Sequence, residues 1–217
     1  PDETRIYYVM ELVEGTDLKR RLDDGPLVAR QVAQLGYHAA SALEYVHGQG
    51  IVHRDVKPAN ILLTFDDDGS RVNAKLGDFG VASIGPAEAI ADDEIVTGTV
   101  AYLSPEQARG EEVGAASDVY SLGLVVIESL TGAPPFPGSA LESAAARLSH
   151  DPDLSSPALA EVRPLLARIT TRSPAGRPSM IEVADAFAGR APTQVFGALG
   201  VADATRDGGG GRVRLPT

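Results

Sequence analysis

Apolar positions change period several times along the chain, and each change marks an element. Ile6-Tyr7-Tyr8-Val9-Met10 is a β-branched and aromatic run of strand length, closed by acidic residues and Gly15. From Val32 the apolar residues fall at Leu35, Ala39, Leu43 and Val46, on one helical face, which predicts a helix stopping at Gly48 or Gly50. Ile61-Leu62-Leu63 and Ala74-Lys75-Leu76 flank the turn-rich Asp66-Asp67-Asp68-Gly69-Ser70, the pattern of a hairpin. Between Phe79 and Glu106 no period persists, and a loop of that length inside a compact domain usually carries function. Ser117 to Leu130 is apolar nearly all round, as in a helix buried mid-domain, and Gly132 ends it before Pro134-Pro135. Further helices are predicted over Leu141 to Leu148, around the Leu165-Leu166-Ile169 patch, and over Ser179 to Phe187, where Ser179 and Glu182 have capping-box spacing. From Arg190 the period vanishes and Gly208 to Gly211 form a run, which predicts a flexible tail.

Composition narrows the function. With 217 residues, 43% of them hydrophobic, the chain can bury a sizeable core, so a disordered or fibrous protein is ruled out. Lys and Arg total 19 against 30 Asp and Glu, a net charge of -11 that repels a phosphate backbone, so nucleic acid is not an expected partner. The absence of cysteine excludes a disulfide framework, a cysteine-ligated zinc site and a thiol nucleophile. With no cysteine the redox compartment stays open and a cytoplasmic location is the default; the longest apolar run, around Leu122 to Ile127, is far below the roughly 20 residues of a spanning helix, so no membrane segment is expected. Pro1 to Arg5 show neither an initiator Met nor a signal peptide, so the chain reads as a fragment.

The chemistry concentrates in three motifs: His53-Arg54-Asp55-Val56-Lys57-Pro58-Ala59-Asn60, then Gly77-Asp78-Phe79-Gly80, then Ser104-Pro105-Glu106. Each alone is weak, since an Asp in a loop is more often a turn former or a cap than a catalyst. In this order, with the first between a helix and a hairpin and the second just after it, they match the protein-kinase signature set. From about Arg5 to Gly189 the chain resembles a eukaryotic-like (Hanks-type) bacterial Ser/Thr protein kinase. The resemblance implies an α+β fold of the protein-kinase type, with residues 1–16 as last small-lobe strand and hinge, 17–189 as a mainly helical large lobe and 190–217 as tail.

It also implies roles. Phosphoryl transfer needs a group that orients the attacking hydroxyl, oxygen ligands for magnesium, and cations against the moving charge. Asp55 matches the residue that orients the hydroxyl and accepts its proton, Asn60 and Asp78 the two Mg2+ ligands, and Lys57 the contact to the transferred phosphate of ATP. Lys57 together with Thr99 resembles the Ser/Thr-specific pattern, so protein substrates with Ser or Thr acceptors are implied. Glu11 and Val13 match the hinge backbone that pairs with adenine, and Leu62 the residue beneath the ring. Asp17 matches a ribose contact or, equally, a plain strand-to-helix connection. His53 reads as a packed residue beside Phe79, Asp118 as the acid that holds the catalytic-loop backbone, and Glu106 with Arg177 as a buried ion pair.

The departures are informative. No G-x-G-x-x-G loop, strand lysine or paired helical glutamate can stand in the four residues before Arg5, so most of the small lobe is absent from this sequence and an active parent is implied rather than an active fragment. A pseudokinase or a truncated interaction module are the rivals, and the intact Asp55, Lys57, Asn60 and Asp78 speak against the first. Ile84 to Val96 hold no Ser, Thr or Tyr, and Asp92-Asp93-Glu94 is either a solvated charge run or a carboxylate partner for Arg54, with Thr97 the alternative phosphosite. In the tail, Thr193-Gln194-Val195 resembles the motifs that forkhead-associated domains read once phosphorylated, which implies such a partner.

Overall fold

The computed structural model describes residues 10–78 and 100–190. A short antiparallel sheet forms one edge: β1 (Thr16–Asp17) pairs with β2 (Ile61–Phe65), which pairs with β3 (Val72–Leu76). The expected hairpin is β2–β3, in a register that sets Ile61 against Leu76 and Phe65 against Val72. Ile61 and Leu63 are fully buried, whereas Leu62, pointing to the other face, is half-buried beside Asp17.

Helices make up the rest of the described fold. They are α1 (Leu18–Asp23), α2 (Ala29–His47), α3 (Pro105–Arg109), α4 (Ala115–Thr131), α5 (Ala140–Ser149), α6 (Arg163–Ile169) and α7 (Met180–Phe187). The predicted face of α2 is the one that turns inward: Val32, Leu35, Ala39 and Leu43 are buried, each such side chain worth about 1.5–3 kcal/mol for the larger residues. It packs on α7, β3 and α4. At Gly36 a Cβ would come within 2.7 Å of the Phe187 ring, so glycine is what lets α2 and α7 approach this closely. The buried α4 runs through the core, with Leu122, Leu124, Val125 and Val126 all at zero exposure, and Gly132 at φ 73° caps it as the sequence indicated.

Two features were not expected from the periodicity. The chain before Val32 holds β1 and α1, with Asp17 as the N-cap of α1, its Oδ1 accepting from the Arg20 amide at 2.9 Å. The aperiodic stretch ending at Glu106 already contains the start of α3 at Pro105, because Ser104 and Gln107 form a reciprocal capping box. The expected strand over Ile6 to Met10 lies outside the described residues except for Met10, which is in no regular element. The tail beyond Arg190 also lies outside them.

Candidate active site

The segment from His53 to Asn60 has no regular structure before its final turn, so polar contacts must fix it. Asp118, in the first turn of α4 and 1% exposed, does most of this. Its Oδ2 accepts from the His53 amide at 2.9 Å and its Oδ1 from the Arg54 amide at 2.8 Å, while His47 Nε2 lies 2.7 Å from Oδ2. These amides aim at one carboxylate because Arg54 takes a left-handed conformation, φ 67°, a geometry that costs a non-glycine residue about 1–3 kcal/mol. Charge-assisted hydrogen bonds of about 1.5–3 kcal/mol each offset that strain. Gln107 of α3 adds a neutral one, its Nε2 donating to the Arg54 carbonyl at 2.8 Å.

His53 is fully buried and joins two of the motifs. The Asp55 amide donates to its Nδ1 at 3.3 Å, which leaves the hydrogen on Nε2, facing the Gly77 carbonyl at 3.1 Å. This arrangement ties the buried ring to the backbone of both motifs. The Gly77 amide in turn donates to the Asn60 carbonyl at 2.9 Å. Thus the backbone just before Asp78 is stitched to the loop that carries Asp55 and Asn60, and Asp78 follows with φ 51°, a second strained position. Phe79, predicted to pack on His53, lies outside the described residues.

Side chains of the first motif converge on one carboxylate. Lys57 Nζ sits 2.8 Å from Asp55 Oδ2, and Asn60 Nδ2 donates to the same oxygen at 3.0 Å and to the Asp55 carbonyl at 2.8 Å. Asp55 and Lys57 remain partly exposed, with 26% and 18% of their side chains accessible, while Asn60 is buried. Because the Asn60 amide nitrogen is engaged by Asp55, its oxygen is the end left to meet a cation. An amide oxygen and the Asp78 carboxylate are hard donors that fit Mg2+, which takes few protein ligands and completes its shell with water and phosphate.

Beside Lys57 opens a cavity of about 380 Å³ whose walls include Ala59, Tyr102, Glu128, Phe136 and Ser139. The Tyr102 hydroxyl donates to Glu128 Oε2. Burial pushes the Glu128 carboxyl above its ordinary range, against the opposing pull of the Tyr102 hydrogen bond and the Lys19 charge. Where α3 meets the start of α4, Glu106 and Arg177 form the expected ion pair at 2.6 and 2.9 Å, with Ser117 Oγ donating to Glu106 at 2.6 Å and the guanidinium 4.9 Å from the Tyr120 ring centre. Burial raises the Glu106 pKa, but the hydrogen bonds from Arg177 and Ser117 outweigh it and hold the group below its usual value.

The protein kinase domain family matches residues 1–186. The chain belongs to that family. It is 43% identical over 183 residues to the serine/threonine-protein kinase PknB of Mycolicibacterium smegmatis, covering 82% of this chain and 28% of the relative. Over 182 residues it is 42% identical to PknL of Mycobacterium tuberculosis, covering 81% of this chain and 44% of the relative. A crystal structure of the Mycobacterium tuberculosis PknI kinase domain aligns with a TM-score of 0.61 at 33% identity, covering 84% of this chain and 65% of that one. The chain therefore spans less than half the length of these two curated relatives, and its described residues form the mainly helical part of a bacterial Hanks-type kinase fold.

Of the site residues read from the sequence, the structure brings Asp55, Lys57 and Asn60 into contact and stitches the backbone leading to Asp78 beside them. Asp17 and Leu62 stand opposite each other in the β1–β2 register. Val13 is half-buried, and the exposed Glu11 meets Lys75 Nζ at 2.5 Å. Thr99, Thr97, Asp92, Asp93, Glu94 and Thr193 lie outside the described residues. Sequence reasoning missed His47, Gln107 and the Tyr102–Glu128 pair. A signal existed for Gln107, which stands three residues after Ser104 just as Glu182 follows Ser179.

Proposed function

We propose that this chain carries the phosphotransfer site of a Ser/Thr protein kinase that moves the γ-phosphate of Mg-ATP to a protein hydroxyl. The observation that carries the reading is the Asp55 carboxylate, held at one oxygen by Lys57 and Asn60 on a loop whose backbone amides are locked by Asp118. These two contacts fall on Oδ2, and Oδ1 would meet an incoming Ser or Thr hydroxyl and take its proton. Lys57 stands where it can neutralise charge on the transferred group. Asn60 and Asp78 would hold Mg2+, which supplies charge neutralisation on the phosphates when bound.

The nucleotide would lie along β1 and β2, with Glu11 and Val13 offering backbone to adenine, Leu62 beneath the ring and Asp17 near the ribose. That Asp17 caps α1 with Oδ1 favours its connecting role, and a ribose contact would have to use its remaining lone pairs. The cavity beside Lys57 would take acceptor residues next to the phosphorylated one. Thr99 would complete the acceptor side, and phosphorylated Thr193 would recruit a forkhead-associated domain.

The test is magnesium-dependent transfer of labelled phosphate by the protein as its gene encodes it. Asp55→Asn and Asp78→Asn should each abolish transfer while leaving the unfolding midpoint near that of the parent. Full activity in Asp78→Asn would remove magnesium from that carboxylate, and absence of transfer in the parent would favour a docking module.

A further inference from the structure

Arg147 of α5 has no exposed surface, and among the described residues no carboxylate lies within ion-pair distance of it. A buried guanidinium without an acid is expensive, and an apolar side chain of the same length would serve packing better. Its hydrogen bonds show what it does instead. Nε donates to the Ser143 carbonyl at 3.0 Å, one terminal nitrogen to the Leu103 carbonyl, and the other to the Ala101 carbonyl at 3.0 Å and to Ser143 Oγ at 2.5 Å. The Phe136 ring centre lies 5.4 Å from its central carbon.

These partners have a common location. Ala101, Phe136 and Ser143 all line the cavity beside Lys57, and Tyr102, between the two clamped carbonyls, donates its hydroxyl to Glu128 on the same wall. Arg147 therefore links three lining residues of that cavity without lining it itself. Burial lowers its pKa to about 10, which still leaves it charged at neutral pH.

We propose that Arg147 is a positioning residue for the acceptor: it clamps the carbonyls of Ala101 and Leu103 so that Tyr102 and its neighbours form a fixed wall beside Asp55 and Lys57. Its consequence for acceptor binding rests on the phosphotransfer reading. The fork matters because Arg147 makes four hydrogen bonds at once, to the carbonyls of Ala101, Leu103 and Ser143 and to Ser143 Oγ, one more than the three donors of an ammonium can supply.

The test compares Arg147→Met and Arg147→Lys with the parent, in the protein as its gene encodes it. Amide exchange should quicken about tenfold over residues 101–104 in the Met variant and by less in the Lys variant, while α4 and α7 stay within about twofold. With myelin basic protein as acceptor, its KM should rise about fivefold or more, with the KM for ATP within about twofold. If the Met variant does not fold, the Lys variant carries both readouts. Unchanged exchange over 101–104, equal quickening across α4 and α7, or faster local exchange with an unaltered acceptor KM would each overturn the proposal. A parent without phosphotransfer would sink the kinase reading alone, and the exchange pattern would still decide whether the clamp exists.

Discussion

The two ends of α4 are built on opposite principles. Around its first turns buried charges are fully cross-linked: Asp118 takes two backbone amides and His47, and Glu106, reached by Ser117, takes the fork of Arg177. Toward its last turn Glu128 meets one tyrosine hydroxyl and faces a cavity. Burial acts on both glutamates, yet hydrogen bonds overcome it at Glu106 and fail to at Glu128. The difference separates an anchor from a wall. The anchored end holds the segment from His53 to Asn60 in a strained shape, and the open end borders a cavity.

The most disruptive way to break the anchored end is Arg177→Met, which strands the Glu106 carboxylate in the interior. The expected loss is about 3–5 kcal/mol, because an unpaired buried charge forfeits its compensation. For a domain of this size that is a fall of roughly 6 to 20 °C in the unfolding midpoint. The pH dependence has a definite sign. Since the folded pKa of Glu106 lies below its ordinary 4.5, the pair stabilises the protein above that pH and the benefit disappears as pH falls through the folded value. Acid unfolding followed by circular dichroism should show that this part of the acid sensitivity is gone in Arg177→Met.

Asp118→Asn sharpens the same comparison with a smaller effect on stability and a large one on activity. One carboxylate oxygen becomes an amide that cannot accept from a backbone N–H, so one of the His53 and Arg54 hydrogen bonds is lost at about 1–3 kcal/mol. Relaxation of Arg54 toward ordinary φ would displace Asp55, and a shift of about 1 Å can cost about a hundredfold in rate. Phosphotransfer should fall by about that factor. An Asp118→Asn protein with parental kcat would show that the loop holds its shape without the carboxylate.

What the sequence revealed follows from how local each cause is. The inward face of α2, the β2–β3 hairpin and the Gly132 cap arise from residues within a turn or two of each other, and periodicity exposes them. Asp55, Lys57 and Asn60 lie within six residues and so stood out as one motif, but their grouping into a site was legible through the family resemblance. The Glu106–Arg177 pair spans 71 positions and was legible only through family resemblance. His47, Arg147 and Glu128 were not legible, since each meets a partner 26 to 71 positions away and carries no local pattern of its own. The short helices α1 and α3 escaped for a different reason. Five or six residues are too few to display a period, and α3 was recoverable only through its Ser104–Gln107 capping box.

The smallest expected effect lies at the open end and tests whether it is truly open. Glu128 has its folded pKa raised above the ordinary 4.5, chiefly by burial, so protonation favours the folded state and that advantage fades as pH rises through the raised value. Glutamine at this position stays neutral at every pH and keeps an oxygen to accept from Tyr102. Glu128→Gln should therefore match the parent in stability near pH 4 and exceed it near pH 7.5 by less than about 1 kcal/mol, read from urea midpoints at both values. Glu106→Gln should behave in the opposite sense, losing most at the higher pH, because there the charged form is the stabilised one. A Glu128→Gln protein weaker than the parent at neutral pH would mean that Lys19 and Tyr102 hold the carboxylate as firmly as Arg177 holds Glu106. The two ends of α4 would then be anchored alike.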